Sequence, residues 1–133
     1  IMLRAVSEIE SIADSCNNLA RSIKRRNDGK SSFTEDQNHH VDHMFDLVSR
    51  ALERMNYILT KQTLTHNDIN VSYNIENEIN TYRNQLKSRD IEDINNKLYS
   101  YQDGVYYMNV IGECEKVGDY VLNVVQALIE KKI

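Results

Sequence analysis

The sequence predicts an all-α protein, an antiparallel up-down bundle of four long helices. The chain of 133 residues has no Pro and only four Gly, and Pro is the residue that most strongly breaks a helix interior. Apolar residues recur three and four positions apart through four long segments, which is the period of one helix face. Short connections between such segments make sequential helices antiparallel.

Composition is that of a globular protein of one-domain size. Hydrophobic residues make up 41% and charged residues 27% of the chain, and this length is enough to bury a core. The formal net charge of -4 argues against nucleic acid as a partner. No stretch approaches the roughly 20 apolar residues that span a bilayer. Cys16 and Cys114 have no metal-ligand spacing, and we expect both to be buried free thiols in a reducing compartment.

The first helix is predicted from about Met2 to Arg26. We expect its core face to be a stripe spaced alternately three and four residues apart: Val6, Ile9, Ala13, Cys16, Ala20 and Ile23. The basic run KRRND, residues 24–28, complements the helix dipole, with contact to anionic lipid as the alternative. Because the chain starts already in this pattern, we expect it to be part of a longer polypeptide.

Start signals define the other three helices. Ser32 with Glu35 predicts a capping box for the second helix, Thr65 to Asp68 starts the third, and Ser100 with Asp103 starts the fourth. We expect the last break around residues 97–101 and the end of the fourth helix near Lys131. The predicted core residues of these helices are Val41, Met44, Phe45, Val48, Ala51, Leu52, Met55, Ile58, Leu59, Ile75, Ile79, Tyr82, Leu86, Tyr107, Val110, Ile111, Cys114, Val121, Val125 and Leu128.

An internal repeat links the first and last helices. Residues 8–20, EIESIADSCNNLA, align with residues 113–125, ECEKVGDYVLNVV, at a constant offset of 105 residues. The matched polar positions are Glu8 with Glu113, Glu10 with Glu115, Asp14 with Asp119 and Asn18 with Asn123. A long period indicates duplicated supersecondary units. The chain would then hold the last helix of one unit, residues 1–30, and a complete three-helix unit, residues 31–133.

The repeated acids are candidate metal ligands. Glu115 and Asp119 lie one turn apart on a helix face, where like charges repel each other unless a cation or a basic group is near. Glu76 and Asn80 have the same spacing on the third helix. Two facing helices of this kind would form an oxygen-rich cluster suited to a hard cation. A single acidic pair is more typical of a solvated helix face than of a metal site, so the repetition is the stronger observation.

These motifs resemble the acidic signature of PhoU-like helical domains, E-x-E-x-x-x-D followed by Asn four residues later. The stretch GECEKVGDYVLNVV is similar to the third helix of that family, IENEINTYRNQL at 75–86 to its middle helix, and HHVDHMFDLVSRALE to its opening helix. The most similar version is the cytoplasmic C-terminal region of bacterial sodium/phosphate cotransporters of the type II-related group.

The resemblance implies two three-helix bundles that bind a multinuclear cluster of divalent, iron or zinc ions, and a role in phosphate uptake at the cytoplasmic face of the bacterial inner membrane. The implied partner is a transmembrane phosphate-transport domain in the same chain or a separate transporter, with a homodimer as a further expectation. The implied metal residues are Glu115, Asp119, Glu76, Asn80, Glu10 and Asp14. Asn80 stands where the family has an Asp, and the helix facing Glu10 and Asp14 would precede residue 1.

Several alternatives stay open. The chain could be a free-standing phosphate-uptake regulator or a purely structural, oligomerising bundle without metal. A metallohydrolase is disfavoured because no nucleophile-base pair or phosphate-binding loop is present, and we expect no enzyme.

His39 and His43, one turn apart, could bind zinc, but a solvated first turn is favoured. The tyrosines at 99, 101, 106 and 107 are expected at the end of the bundle rather than at an interface.

Overall fold

The computed structural model describes residues 2–28 and 33–132. These ranges form four helices without a strand: α1 (Met2–Asp28), α2 (Glu35–Thr60), α3 (His66–Asn95) and α4 (Tyr101–Lys132). The prediction of an all-α protein with four long helices is confirmed, as is the break before residue 101. In these ranges, no helix combines the length and the apolar character that crossing a bilayer requires.

Side-chain caps fix where the helices begin. The cap of α2 is Thr34, whose Oγ1 accepts a hydrogen bond from Gln37 N at 3.1 Å, while Gln37 Oε1 accepts from Thr34 N at 2.9 Å. The predicted box of Ser32 with Glu35 is therefore wrong, and Ser32 itself lies outside the described residues. The other two start signals are confirmed. Thr65 and Asp68 form a reciprocal capping box, and Asp103 N donates to Ser100 Oγ at 3.1 Å.

Helix α4 is the centre of the molecule. It packs against α1, α2 and α3, and α2 also packs against α3, whereas α1 packs against α4 alone in the described part of the chain. All the core residues predicted for α4 are buried, and most of those predicted for α2 and α3. The exceptions are Phe45, Leu52 and Tyr82, which are half-buried, and Leu59, which is exposed. A helix with three neighbours buries most of its circumference, which explains why α4 is apolar on several sides.

Helix α1 faces the core differently from the sequence prediction. Its buried residues are Ala5, Ile12, Ser15 and Leu19. In the predicted stripe, Val6 is 52% exposed and Ile9 40% exposed, Ala13, Cys16 and Ala20 are exposed, and Ile23 is half-buried. That prediction was wrong because a helix with one neighbour covers only a narrow strip of its surface. For the same reason Cys16 is exposed, whereas Cys114 is buried as predicted.

Candidate functional site

The acidic residues predicted on the third and fourth helices come together where α3 packs against α4. Arg83 Nε lies 3.0 Å from Glu115 Oε2, and the Glu76 carboxyl lies beside that of Asp119. Glu76 Oε1 also accepts a hydrogen bond from Asn80 Nδ2. We call Glu76, Asn80, Arg83, Glu115 and Asp119 the α3–α4 acidic site.

A small residue lets the two helices approach closely at this point. Gly118 is buried, and a Cβ atom built on it would lie 3.1 Å from Ile79 Cδ1. Ile79 is fully buried and lies between Glu76 and Asn80 in the sequence, while Asp119 follows Gly118. The apolar contact between Gly118 and Ile79 therefore sets the separation of the polar groups that flank it on both helices.

The neighbouring carboxyls of the site do not share the same electrostatic environment. Burial, followed by the adjacent Glu76, raises the pKa of Asp119, and the Arg83 guanidinium opposes that shift. Two carboxyls in contact favour a shared proton or a bound cation, because placing two negative charges side by side costs free energy. Asp119 keeps contact with solvent, which moderates this cost.

Arg83 is the part of the site that the sequence prediction missed. It is a fixed positive charge on α3 that forms an ion pair with Glu115 on α4. Glu76, Asn80 and Arg83 are spaced four and three residues apart, so they share one helix face. That spacing was visible in the stretch IENEINTYRNQL and could have revealed the internal cation. The positive charge of Arg83 offsets part of the repulsion between the acidic residues of the motif, and it does so without a metal ion.

The amide of Asn80 leaves one acceptor free. Its Nδ2 donates to Glu76, while its Oδ1 is buried and accepts no hydrogen bond from the described residues. The oxygens available to a metal ion are therefore those of Glu76, Asp119 and Asn80, with Glu115 held by Arg83. Across residues 2–28 and 33–132, no group of three or more His, Cys, Asp and Glu side chains is arranged to hold one ion. The residues fit a metal only in part.

The first copy of the motif is separate from this site. Glu10 and Asp14 are exposed on α1, and the described residues place no helix other than α4 against α1. The two copies touch elsewhere, where Asn123 Nδ2 lies 3.3 Å from Glu8 Oε2. Glu10 and Asp14 therefore have no facing ligands comparable to those that Glu76 and Asn80 provide for α4.

The histidine pair has separate contacts. His39 is exposed, with Nε2 3.8 Å from Glu35 Oε1, and the His43 ring lies edge-on to Tyr82 with centroids 4.7 Å apart. These contacts agree with the favoured interpretation of a solvated first turn. Nothing in the geometry directs both rings toward one ion.

Three of the four clustered tyrosines have the amphipathic placement expected at the end of a bundle. The fully buried Tyr107 ring places its hydroxyl 2.9 Å from His40 Nδ1. The Tyr99 hydroxyl donates to Asp90 Oδ1 at 2.7 Å, and that of Tyr106 donates to the Ser22 carbonyl. Tyr101 differs from these three because it is exposed.

Comparison of the chain with models of protein families, with curated proteins and with solved structures finds no match.

Proposed function

We propose that this chain is a PhoU-like accessory domain of a sodium-dependent phosphate transporter, which regulates the transporter from the cytoplasmic face of the bacterial inner membrane. In this proposal the domain acts by docking helices and has no catalytic role. Support comes from the repeated acidic motif and from the way in which the two copies of the repeated helix differ in burial.

The observation that carries the proposal is a match between an exposed face and a buried one. At the repeat offset of 105 residues, the exposed α1 stripe Val6, Ile9, Ala13, Cys16 and Ala20 aligns with Ile111, Cys114, Gly118, Val121 and Val125 of α4. All five of these α4 residues are buried. The apolar α1 residues that are buried, Ala5, Ile12 and Leu19, align with Val110, Val117 and Val124, which are buried too.

This match suggests what the exposed stripe is for. Helix α4 packs against all three other helices, and Gly118 of its aligned stripe contacts Ile79 of α3. We infer that this stripe meets α2 and α3 and that the other stripe meets α1. On α1 the counterpart of the stripe that meets α2 and α3 has no neighbour among the described residues. We therefore infer that it docks a pair of helices equivalent to α2 and α3, with residues 1–30 serving as the last helix of a preceding unit and residues 31–133 as a complete unit.

Contacts between the helices support an antiparallel up-down order within the bundle. Arg89, near the end of α3, contacts Asp36 at the start of α2. Arg4, near the start of α1, lies 3.9 Å from Glu130 near the end of α4. On α3 and α4, Tyr73 near the start of one contacts Gln126 near the end of the other. Each pair joins the beginning of one helix to the end of its neighbour.

A second candidate function, cation binding at the α3–α4 acidic site, is favoured by one specific observation. Asn80 offers a buried acceptor oxygen beside the adjoining carboxyls of Glu76 and Asp119. Oxygen donors of this type suit hard divalent ions. Arg83 competes with such an ion because it supplies positive charge to the same site. Cation binding would then hold α3 and α4 together and bias the contact with the transporter.

The cation hypothesis is tested by titrating the purified chain with Mn²⁺ and following its free concentration by electron paramagnetic resonance. Arg83→Gln should bind Mn²⁺ at least tenfold more tightly than the wild type, because it removes the competing charge and releases Glu115. Arg83→Gln combined with Asp119→Asn should lose that gain. If Arg83→Gln binds no more tightly than the wild type, the site does not hold a cation.

The transport proposal is tested by sodium-dependent uptake of radioactive phosphate in cells that make the protein in its native form. Ile9→Glu places a charge in the exposed stripe and should change the uptake rate severalfold. Ser7→Glu, also on α1 but outside the stripe, is the matched control and should leave uptake unchanged. A change in phosphate-dependent gene expression at constant uptake would favour the free-standing regulator, and no change in either would favour a structural bundle.

A further inference from the structure

A second polar site lies at the end of the bundle where α2 begins and α3 ends. It is a cleft of about 270 Å³, which we call the end cavity. The side chains that define it are Gln37, His40, Asp90, Tyr99 and Tyr107, with Arg89 at its edge. This volume holds several water molecules, since one water needs only about 10–15 Å³ of such space, and it is enough for a small organic molecule.

The end cavity contains one of the two carboxylates that are buried among the described residues, and these two differ sharply in their partners. Asp68 is 4% exposed and pairs with Arg54 at 2.9 Å and with Lys61 at 2.8 Å. It also accepts a hydrogen bond from Thr65 N at 2.9 Å. Asp90 is 7% exposed, and its only hydrogen bond from the described residues comes from the Tyr99 hydroxyl.

In the part of the chain that the structure describes, Asp90 therefore has no cationic partner of the kind that a buried carboxylate normally has. Its sequence neighbour Arg89 pairs instead with Asp36 at 3.2 Å and with Asp93 at 3.8 Å. Burial raises the pKa of Asp90, and the nearby charge of Asp93 adds to that shift. Buried acids are seldom left without a positive partner, so a positive group from outside the chain would stabilise Asp90.

Gln37 provides a second, independent observation in the same cavity, a buried hydrogen-bond donor without an acceptor among the described residues. It is 3% exposed, and its Oε1 is used by the α2 cap. Its Nε2 is buried and approaches the Tyr99 hydroxyl without a hydrogen bond of acceptable geometry. A buried N–H donor without an acceptor costs about 1–3 kcal/mol. A ligand with an acceptor atom near Gln37 would remove that cost.

The charged and aromatic side chains around the cavity favour a positively charged ligand. Glu35, Asp36, Asp90 and Asp93 line it together with one arginine, Arg89. Burial, followed by the Arg89 charge, lowers the pKa of His40, so this ring is neutral at pH 7. The lining is thus net negative and disfavours anions. Tyr99 and Tyr107 add aromatic rings, and cations are attracted to the faces of such rings.

We propose that the end cavity binds a small organic cation that also carries a hydrogen-bond acceptor, the chemistry of an amino alcohol. Its ammonium group pairs with the Asp90 carboxylate, and its hydroxyl oxygen accepts from Gln37 Nε2. The aromatic rings of Tyr99 and Tyr107 surround the charged end. This site is separate from the α3–α4 acidic site and does not depend on the proposed role in phosphate transport.

The test is a nuclear magnetic resonance titration of the ¹⁵N-labelled chain with 3-amino-1-propanol at pH 7. Saturable shifts are expected at the amides of Gln37, Asp90 and Tyr99, in the millimolar range suited to so small a probe. The neutral 1,3-propanediol and the anionic 3-hydroxypropionate should give no saturable shifts at these positions. Absence of saturation with the amino alcohol, or equal binding of the neutral diol, would overturn the proposal.

A matched pair of variants separates the buried acid from the general negative field. Asp90→Asn and Asp93→Asn each remove one negative charge on α3, three residues apart. Asp90→Asn should weaken binding at least tenfold, whereas Asp93→Asn should weaken it less than threefold. Equal weakening by both variants would show a nonspecific field and contradict the proposal. Because Asn keeps an acceptor for the Tyr99 hydroxyl, Asp90→Asn should fold; if it does not, the wild-type titration decides alone.

Discussion

Asp68 is the residue whose local chemistry most clearly links sequence to stability. It is the capping-box partner of Thr65, and Arg54 on α2 together with Lys61 after α2 hold its carboxylate. The hydrogen bond from Lys61, followed by that from the Thr65 backbone, keeps the pKa of Asp68 well below its usual range. The Asp68 side chain thus links the end of α2 to the start of α3 and stabilises the connection between them.

Replacing the Asp68 carboxylate should make the melting temperature of the protein less dependent on pH. Asp68→Asn should lower the melting temperature at pH 7, because the ion pairs and the charged cap are lost. Since the folded-state pKa of Asp68 is lowered, its contribution is fully present above the ordinary value of 3.8 and fades as the pH falls below it. The difference in melting temperature between wild type and variant should therefore shrink below pH 3.8.

Asp36→Asn is the matched control for this experiment. Asp36 also pairs with an arginine, but its side chain is 70% exposed, and exposed ion pairs contribute about 0–1 kcal/mol. Thermal unfolding followed by circular dichroism across pH 2–7 measures both variants. Equal losses for Asp36→Asn and Asp68→Asn would contradict the special role of the cap.

At the residue scale, the sequence pointed to the acids of the α3–α4 acidic site but not to the arginine that pairs with one of them, and their role as metal ligands stays a prediction. The repeat identified Glu115 and Asp119, and the spacing on α3 identified Glu76 and Asn80, because helix periodicity alone puts such residues on one face. Arg83 was missed because a metal-ligand motif is defined by its oxygen donors and does not include a cation. The lack of a cation at Asp90 could not be foreseen at all, since burial of a single acid depends on how three segments meet in space.

At the scale of the helix, α1 shows the limit of periodicity. Its sequence contains two apolar faces, one with Ala5, Ile12 and Leu19 and one with Val6, Ile9 and Ala13. Periodicity reveals both faces but does not tell which one a neighbour will cover. For α4 this ambiguity was harmless, because α4 has neighbours on both faces, and its predicted core was confirmed.

Two isoleucines of α1 give a matched test of which face is buried. Ile12 is 7% exposed and Ile9 is 40% exposed. Ile12→Ala should lower the free energy of unfolding by about 2 kcal/mol, near the lower end for a buried Ile. Ile9→Ala should change it by less than about 0.5 kcal/mol, as surface substitutions usually do. Urea unfolding measures both, and a larger loss for Ile9→Ala would restore the face predicted from the sequence.

Two glycines of α4 provide a second test at this scale. A Cβ on Gly112 would meet no atom within 4 Å, whereas on Gly104 it would lie 2.5 Å from Ile94 Cδ1 and 3.0 Å from Asp90 Oδ1. Gly112→Ala should stabilise the protein by about 0.5–1 kcal/mol through helix propensity. Gly104→Ala should destabilise it by about 1 kcal/mol because the Ile94 side chain must leave its packed position. Urea unfolding should give opposite signs, and two gains would show that the Ile94 side chain moves freely at this contact.

At the scale of the whole molecule, the protein is organised around α4, which packs against α1, α2 and α3, whereas α1 packs against α4 alone in the described part of the chain. The sequence predicted the helix count and the breaks between helices, because both follow from local start signals and spacing, whereas the duplication stays a prediction. Which helices share a contact depends on tertiary packing. The exposed α1 stripe, aligned by the repeat with buried residues of α4, is the feature on which the proposed docking role depends.

The exposed α1 stripe contains a cysteine, Cys16, whose reactivity reports whether the stripe is covered. Cys16 is exposed on α1, whereas Cys114 on α4 is buried. The repeat does not align these two cysteines with each other. Burial raises the pKa of the Cys114 thiol to about 12, so alkylating reagents should modify Cys16 and spare Cys114 in the folded chain. Mass spectrometry of digested protein distinguishes the two sites.

The most direct measurement of the docking claim compares the alkylation rate of Cys16 in the purified chain with its rate in the protein inside the cells that make it. If helices equivalent to α2 and α3 cover the stripe, alkylation of Cys16 should be at least tenfold slower in the native protein and should recover on unfolding. Equal rates in the two preparations would mean that the stripe stays open, and would contradict the docking claim.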